Sequence, residues 1–280
     1  GKTVLVELQR GCVRNCSFCT IPFSFGNPRT RSLKRVLEDI RSASALDNVQ
    51  FGFISPETGD YPALAELLSA VDSLGAAVSF ASLRVDNISE AMVRSLVRSG
   101  RYTLTIAPES GNERLRKSCG KPFSDDLILE RLAMASRMGV RKVKLYFMMG
   151  LPGEVVSDMD DIARLCGRVR SENELQVVAS VGVFVPKPMT FWEKADMISG
   201  EEARSRKKRL GKLFSNGPGK GCGISFQEPM EAALEFAIAW KGLPCDINLL
   251  SRPKKKVCLG EPDRERRKLL LEQLGLLGYH

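Results

Sequence analysis

The chain reads as an α/β protein, a partial (β/α)6 barrel of the TIM type with a small C-terminal α+β appendage. Three observations predict this. Apolar, β-branched runs alternate six times with stretches of helical period, which implies parallel strands joined by crossover helices. Residues of functional type stand just after four strands, at 12–19, 56–60, 109–111 and 150–154. A barrel gathers its carboxyl-end loops at one mouth, whereas a doubly wound sheet concentrates them at one switch point. The alternation stops at Asn216, so residues 1–216 are expected to form the barrel and 217–280 the appendage.

The elements follow in order. Residues 4–8 form the first strand, and Ser32 opens a helix with Leu33, Val36, Leu37 and Ile40 at helical spacing. The second strand is 49–54. The helix over 61–74 places Leu64, Leu67, Leu68 and Val71 on one face. The third strand is 77–83, after which Ser89 caps a helix over 90–98 that ends at Gly100. The fourth strand is 102–107. Ser124 caps the next helix, which carries Leu127, Leu129, Leu132 and Ala133 and ends near Gly139. Strand 143–149, helix 157–169, strand 177–185 and a basic helix over 201–214 complete the alternation. Gly217, Pro218, Gly219, Gly221 and Gly223 then mark a loop. A short strand over 224–227, an amphipathic stretch over 231–240 and a last helix over 264–274 follow.

Composition removes whole classes of chemistry. At 280 residues, 43% apolar and 27% charged, the chain has material for one large or two small domains with a core. No apolar run approaches the ~18 residues of a membrane span, and no signal-peptide pattern precedes the first strand. The only histidine is the last residue, His280. A Ser-His-Asp hydrolase, a Cys-His protease, a His-ligated zinc hydrolase and a histidine general base are all excluded. Eight cysteines are too sparse for a disulfide scaffold, which points to a reducing, cytoplasmic compartment. Cys119, Cys166, Cys222, Cys245 and Cys258 are scattered singly and read as small buried hydrophobes.

The net charge of +9 is concentrated in two stretches. One holds Arg204, Arg206, Lys207, Lys208, Arg209 and Lys212. The other holds Arg252, Lys254, Lys255, Lys256, Arg264, Arg266, Arg267 and Lys268. They are either solvated helix faces or a surface for nucleic acid.

Cys12, Cys16 and Cys19 stand together in Arg10-Gly-Cys-Val-Arg-Asn-Cys-Ser-Phe-Cys, after the first strand. Three thiolates on one tight loop can hold three irons of a 4Fe-4S cube and leave the fourth iron open to a ligand. The alternative is a zinc site completed by a distant cysteine such as Cys119.

This triplet, with Phe18 immediately before its third cysteine, resembles the radical S-adenosylmethionine superfamily over roughly residues 3–190. Within it, the chain is most similar to the group whose members often carry a cobalamin-binding domain ahead of the barrel. That closer likeness rests on three stretches: Ala107-Pro-Glu-Ser-Gly with Glu113-Arg-Leu-Arg-Lys, then Lys144-Leu-Tyr-Phe-Met-Met-Gly-Leu-Pro-Gly-Glu, then Val185-Pro-Lys-Pro. The resemblance implies that Cys12, Cys16 and Cys19 hold the cluster. Its open iron would chelate the amino and carboxylate groups of S-adenosylmethionine, whose reductive cleavage gives a 5′-deoxyadenosyl radical.

The resemblance also implies cofactor contacts for Phe18, Glu57, Glu109, Arg114, Gly150, Pro152, Gly153 and Pro186. Glu57 would accept from the methionyl ammonium, although Ser55-Pro-Glu-Thr-Gly-Asp60 departs from the family's Gly-Gly-Glu-like pattern. The plainer reading is a turn with Gly59 at positive φ and Asp60 capping the next helix. Glu109 would hydrogen-bond the ribose or methionyl group, or else be a helix-start acid beside a Ser110 cap. One of Arg114 and Arg116 would pair with Glu109 or the cofactor carboxylate, the alternative being surface salt bridges. Gly150 and Gly153 would let backbone approach the adenine closely. Pro186 would end the sixth strand near the adenine, with Phe191 and Trp192 following.

The implied activity is that of a radical S-adenosylmethionine enzyme supplied by an electron donor such as ferredoxin or flavodoxin. Cobalamin-linked methyl transfer is the favoured subclass and tRNA or ribosomal modification the second. A non-catalytic, metal-containing RNA-binding protein is the alternative of a different class. No residues for a cobalamin domain precede the first strand, and the chain starts at Gly1 without Met. The expectation is either an upstream domain or a stand-alone barrel. The additional N-terminal cluster domain expected of methylthiotransferases is likewise not among these residues.

Overall fold

The computed structural model describes residues 2–44 and 49–241. Strand β1 (Lys2–Glu7) leads into β2 (Gln9–Arg10), the short helix α1 (Ile21–Phe25) and β3 (Arg29–Thr30). Then come α2 (Leu33–Ala43), β4 (Val49–Ile54), α3 (Leu64–Ser73), β5 (Ala77–Ser79) and α4 (Glu90–Arg98). The second half holds β6 (Thr103–Glu109), α5 (Glu113–Ser118), α6 (Asp125–Arg137), β7 (Lys142–Met149) and α7 (Asp158–Asn173). It closes with β8 (Gln176–Val183), α8 (Gly200–Asn216), β9 (Gly223–Phe226) and α9 (Pro229–Lys241).

The main strands run parallel and stand side by side in chain order. β1 pairs with β4 and β4 with β5, while β6, β7, β8 and β9 pair in succession. A parallel bridge between Leu83 and Ile106 joins the two groups. A doubly wound sheet reverses direction at its switch point; here the order never reverses. The sheet also curls. Trp192, after β8, donates its backbone N–H to Ser17 O at 3.1 Å, in the loop after β1. In a flat sheet these strands would lie five spacings of ~4.8 Å apart, about 24 Å. Among the described residues no ladder joins β1 to β9, so the barrel is partial.

Alternation along the strands builds a two-sided wall. Val143, Leu145, Phe147 and Met149 of β7 are buried, as are Val177, Ala179, Val181 and Val183 of β8. They join one core with Ile128 and Leu132 of α6 and Ile162 and Cys166 of α7. The intervening residues, Tyr146, Met148, Ser180 and Gly182, line a cavity on the other face.

The differences from expectation have local causes. The third strand ends at Ser79 rather than Leu83. Pairing with β4 stops there, Leu83 bonds only to β6 through its N–H on Thr105 O at 2.9 Å, and the buried Glu57 carboxylate takes the backbone N–H of Arg84 at 3.0 Å. Ser89 and Ser124 cap their helices as expected, but Asn112 rather than Ser110 caps α5, its side chain accepting from Arg114 N. Helices α1 and α5 are too short to show a period in sequence. β9 adds a parallel strand beside β8, and Trp240 of α9 donates to Pro186 O at 2.9 Å. β9 thus extends the sheet by one strand past Asn216. The expected helix at 264–274, the second basic stretch, Cys245 and Cys258 lie outside the described residues. Among the described residues no helix is long and apolar enough to cross a membrane.

Arg116 was expected at the surface or beside Glu109, yet its side chain is completely buried. Its guanidinium donates to the carbonyls of Phe123, Ser110 and Gly111 and pairs with Asp125. It thereby closes the segment between β6 and α6. Arg116→Met strands these acceptors and is expected to cost at least about 3 kcal/mol. A denaturant-unfolding midpoint equal to that of the wild type would refute this role.

Candidate active site

Cys12, Cys16 and Cys19 are free, half-buried thiols on the loop between β2 and α1. The loop is tightened by Cys19 N–H donating to Cys16 O at 3.1 Å. It is braced from outside by the segment that ends α5. Ser17 N–H donates to Cys119 O at 3.1 Å, and Ser17 Oγ donates to Ser118 O at 2.6 Å. Gly120, at φ +79°, passes so close that a Cβ would stand 2.7 Å from Asn15 O. The backbone N–H of Arg14 points at Cys12 Sγ (3.4 Å) and Arg84 Nη1 at Cys16 Sγ (3.7 Å). Burial pushes the Cys12 and Cys19 thiols up, a tendency that bound iron would reverse.

The three cysteines line one cavity of about 160 Å³ together with Phe18, Glu57, Arg84, Glu109 and Lys121. Among the described residues no three metal-binding side chains converge on a single ion. Cys119, the candidate fourth zinc ligand, is buried with Leu151 and Phe184 in a separate apolar cluster. It is therefore packing, as a lone cysteine usually is. Three thiols spread around a cavity, with N–H donors aimed at two sulfurs, fit a cube of four irons better than one zinc ion.

Two carboxylates enter from neighbouring strand ends. Glu57 is buried, and its oxygens accept from Gly59 N (3.1 Å) and Arg84 N (3.0 Å). Burial pushes its carboxyl up, against the pull of those two N–H groups. Glu109 sits at φ +69°, a strained backbone for a non-glycine residue, just past a register shift in β6. Lys121 Nζ holds it at 2.6 Å and also donates to Ala107 O at 2.8 Å. The expected partners were Arg114 or Arg116; neither pairs with Glu109. Arg116 is consumed by carbonyls, and Arg114 binds Gly153 O and Asp158. Arg114 lines neither this cavity nor the adjoining one.

The remaining expected positions frame the site. Gly150 and Gly153 both adopt positive φ, and Pro152 lies half-buried between them. Pro186 is buried at the start of the segment that reaches Trp192. Trp192 stacks edge-on against Phe184 at 5.5 Å, and Phe191 against Phe23 of α1 at 5.5 Å. A second cavity of about 510 Å³, lined by Tyr146, Met148, Ser180 and Ser225, shares Ser82, Ala107 and Glu109 with the first.

Sequence reasoning missed Lys121, Arg84 and the Arg14–Asp60 pair. Arg14 Nε donates to Asp60 Oδ2 at 2.9 Å, and Asn87 Nδ2 to Asp60 Oδ1 at 2.8 Å. Burial opposes ionisation of Asp60, but these partners hold its carboxyl below the usual range. Asp60 thus ties the cysteine loop to the loop after β4 instead of capping a helix, and Gly59 sits in a 3-10 turn capped by Glu57 rather than at positive φ. The sole hint in sequence was the density of charge in these loops.

Replacing Cys12, Cys16 or Cys19 by Ala is expected to abolish iron retention after anaerobic reconstitution. Cys119→Ala should keep it. Iron and sulfide analysis decides, and full content in Cys16→Ala would refute the ligand assignment.

The sequence profile of the Radical SAM superfamily matches residues 6–166. Uncharacterized protein MJ0966 of Methanocaldococcus jannaschii is 35% identical over 215 residues, covering 76% of this chain and 48% of that protein. A tRNA-2-methylthio-N(6)-dimethylallyladenosine synthase of Chlorobium phaeobacteroides is 25% identical over 182 residues, covering 61% of this chain and 38% of the synthase. The chain thus spans about half or less of these relatives. The crystal structure of Streptococcus suis SuiB bound to precursor peptide SuiA shares the fold. Its TM-score is 0.58 at 14% identity, covering 80% of this chain and 48% of that one. With its cysteine triplet at the mouth of a partial barrel, the chain belongs to the radical SAM superfamily, whose cofactors are a 4Fe-4S cluster and S-adenosylmethionine.

Proposed function

We propose that this chain is the catalytic barrel of an enzyme that reductively cleaves S-adenosylmethionine and directs the resulting radical at a substrate in the adjoining cavity. The observation that carries this is the shared wall: Ser82, Ala107 and Glu109 line both the cysteine cavity and the larger one. When bound, the cluster and S-adenosylmethionine supply an electron and a 5′-deoxyadenosyl radical. The chain's residues supply everything else. Cys12, Cys16 and Cys19 would hold three irons. Glu57, aimed by Gly59 N and Arg84 N, would receive the methionyl ammonium. Glu109, set by Lys121, would bind the ribose or methionyl group. The 150–153 loop would pass along the adenine, with Pro186 on the sixth strand's side. Phe18, Trp192 and Phe184 exclude water beside the cysteine loop.

Ferredoxin or flavodoxin is the proposed electron donor, in a reducing cytoplasm consistent with the free thiols. Cobalamin-linked methyl transfer remains the proposed subclass. RNA modification is the second reading, and the tRNA-modifying relative favours it. The basic face of α8 supports it less than its sequence suggested. Arg206 is buried against Glu154, Lys207 pairs with Glu228, and Arg209 with Asp160. Anaerobic reconstitution with a chemical reductant, followed by assay for 5′-deoxyadenosine, tests the activity. Methylated product only with added cobalamin selects methyl transfer, whereas stimulation by RNA that fades with salt selects RNA modification. Absence of 5′-deoxyadenosine from cluster-loaded protein would refute the proposal.

Glu109→Gln keeps the side chain's shape but removes its charge. It is expected to weaken S-adenosylmethionine binding about tenfold to a hundredfold, the value of one charge-assisted hydrogen bond. Iron content should stay unchanged, and equal affinity by equilibrium dialysis would return Glu109 to a purely structural role.

A further inference from the structure

We propose that Glu154 and Arg206 form a buried latch through which helix α8 holds the 150–153 loop in the shape that receives S-adenosylmethionine. This rests on the reading of that loop given above. Neither residue is exposed: the Glu154 side chain is 1% accessible and that of Arg206 6%. One carboxylate oxygen serves both ends of the latch. Glu154 Oε1 accepts hydrogen bonds from the backbone N–H of Gly150 at 2.6 Å and from Arg206 Nη1. Arg206 Nη2 donates to Glu202 on the preceding turn of α8.

The loop is gripped from other directions as well. Gly150 lies at φ +86°, and the Ile198 side chain stands 2.9 Å from where a Cβ would be. Ile198 belongs to the segment leading into α8. At the far end of the loop, Arg114 Nη1 and Nη2 each donate to Gly153 O at 3.2 Å.

The pair is a poor device for stability. Glu154 Oε2 and Arg206 Nε are buried without a partner among the described residues. A buried ion pair with unused donors and acceptors is commonly no better than an apolar pair of the same volume. What this pair does supply is an acceptor at a fixed point beneath Gly150 N–H. Leu151, the next residue, packs with Phe18 and Phe184, and Phe18 lines the cysteine cavity. A contiguous path therefore runs from α8 through the loop to the cluster site, although neither member of the latch lines either cavity. Glu154 and Arg206 are positioning residues, not catalytic ones.

The charges facing Glu154 are Arg206 from α8 and Asp158 from α7; Glu202 pairs with Arg206, and Arg114 of α5 bridges Asp158 and Gly153. The buried Cys119 thiol also feels it. Burial pushes the Glu154 carboxyl up to about 7, opposed by the Gly150 N–H and Arg206. Its charge, and with it the pull on Arg206, therefore changes around neutral pH.

The test is S-adenosylmethionine affinity of the anaerobically reconstituted full chain, by equilibrium dialysis between about pH 6 and about pH 8. Wild-type affinity is expected to fall toward the acid end as Glu154 takes up a proton. Glu154→Gln keeps the Gly150 acceptor but not the charge, and should show the acid-end affinity throughout. Arg206→Met should bind about tenfold more weakly with unchanged iron content, and the double variant no more weakly than the worse single one. In protein without S-adenosylmethionine, hydrogen exchange at the Gly150 amide should quicken in Arg206→Met. If Arg206→Met fails to fold, the pH profile of Glu154→Gln decides alone. Wild-type affinity and pH profile in both single variants would overturn the latch alone. No binding by the wild type at any pH would overturn the reading of the loop and the latch with it.

Discussion

Lys121 is the fixed point on which the site depends. Its ammonium reaches Glu109 at 2.6 Å and Ala107 O at 2.8 Å, so it seals the carboxyl end of β6 from within. A left-handed glutamate costs of order 1–3 kcal/mol and persists only where its surroundings over-determine it. The short, buried pair with Lys121 supplies that determination. The same lysine lies 5.9 Å from the centre of the Phe18 ring. The residues just before it, Ser118, Cys119 and Gly120, brace the cysteine loop. One side chain thus sets a carboxylate, and its own backbone segment sets the loop that carries the thiols.

Around that point the barrel gathers parts from distant elements. Asp60 brings the loop after β4 to Arg14, and Glu57 ties the same loop to Arg84. Trp192 and Phe191 bring the segment after β8 back to the cysteine loop and α1. These contacts matter because the proposed cluster site would need exact geometry yet sits on loops, which are the softest parts of a fold. The cysteine loop, the loop after β4 and the segment after β8 are each held by a hydrogen bond to another of these segments. The cavity is therefore bounded on several sides before any cofactor enters.

The strands, the long helices and the cysteine triplet were legible because each is written in local spacing. Residues 143–149 of β7 are an apolar run between two helical patterns, and Cys12, Cys16 and Cys19 lie within eight residues of one another. What was not legible depends on pairs brought together by folding. Lys121 and Glu109 are 12 residues apart, and Arg14 and Asp60 are 46 apart. Nothing in either neighbourhood marks the partner. Arg114 and Arg116 stood closer in sequence to Glu109 and were the natural candidates, but helical geometry aims Arg114 at Gly153 and buries Arg116 under Phe123. Arg206 stands in a run of basic residues, and such runs are usually solvated. Only the fold shows it turned inward against Glu154.

The central claim is that three cysteines hold a cluster with one iron open to S-adenosylmethionine. Electron paramagnetic resonance of the reduced, reconstituted protein tests it most directly. The account predicts a signal of a four-iron cluster that shifts when S-adenosylmethionine is added, because a new ligand enters the open iron's shell. A signal unchanged by saturating S-adenosylmethionine, in protein with full iron content, would contradict it.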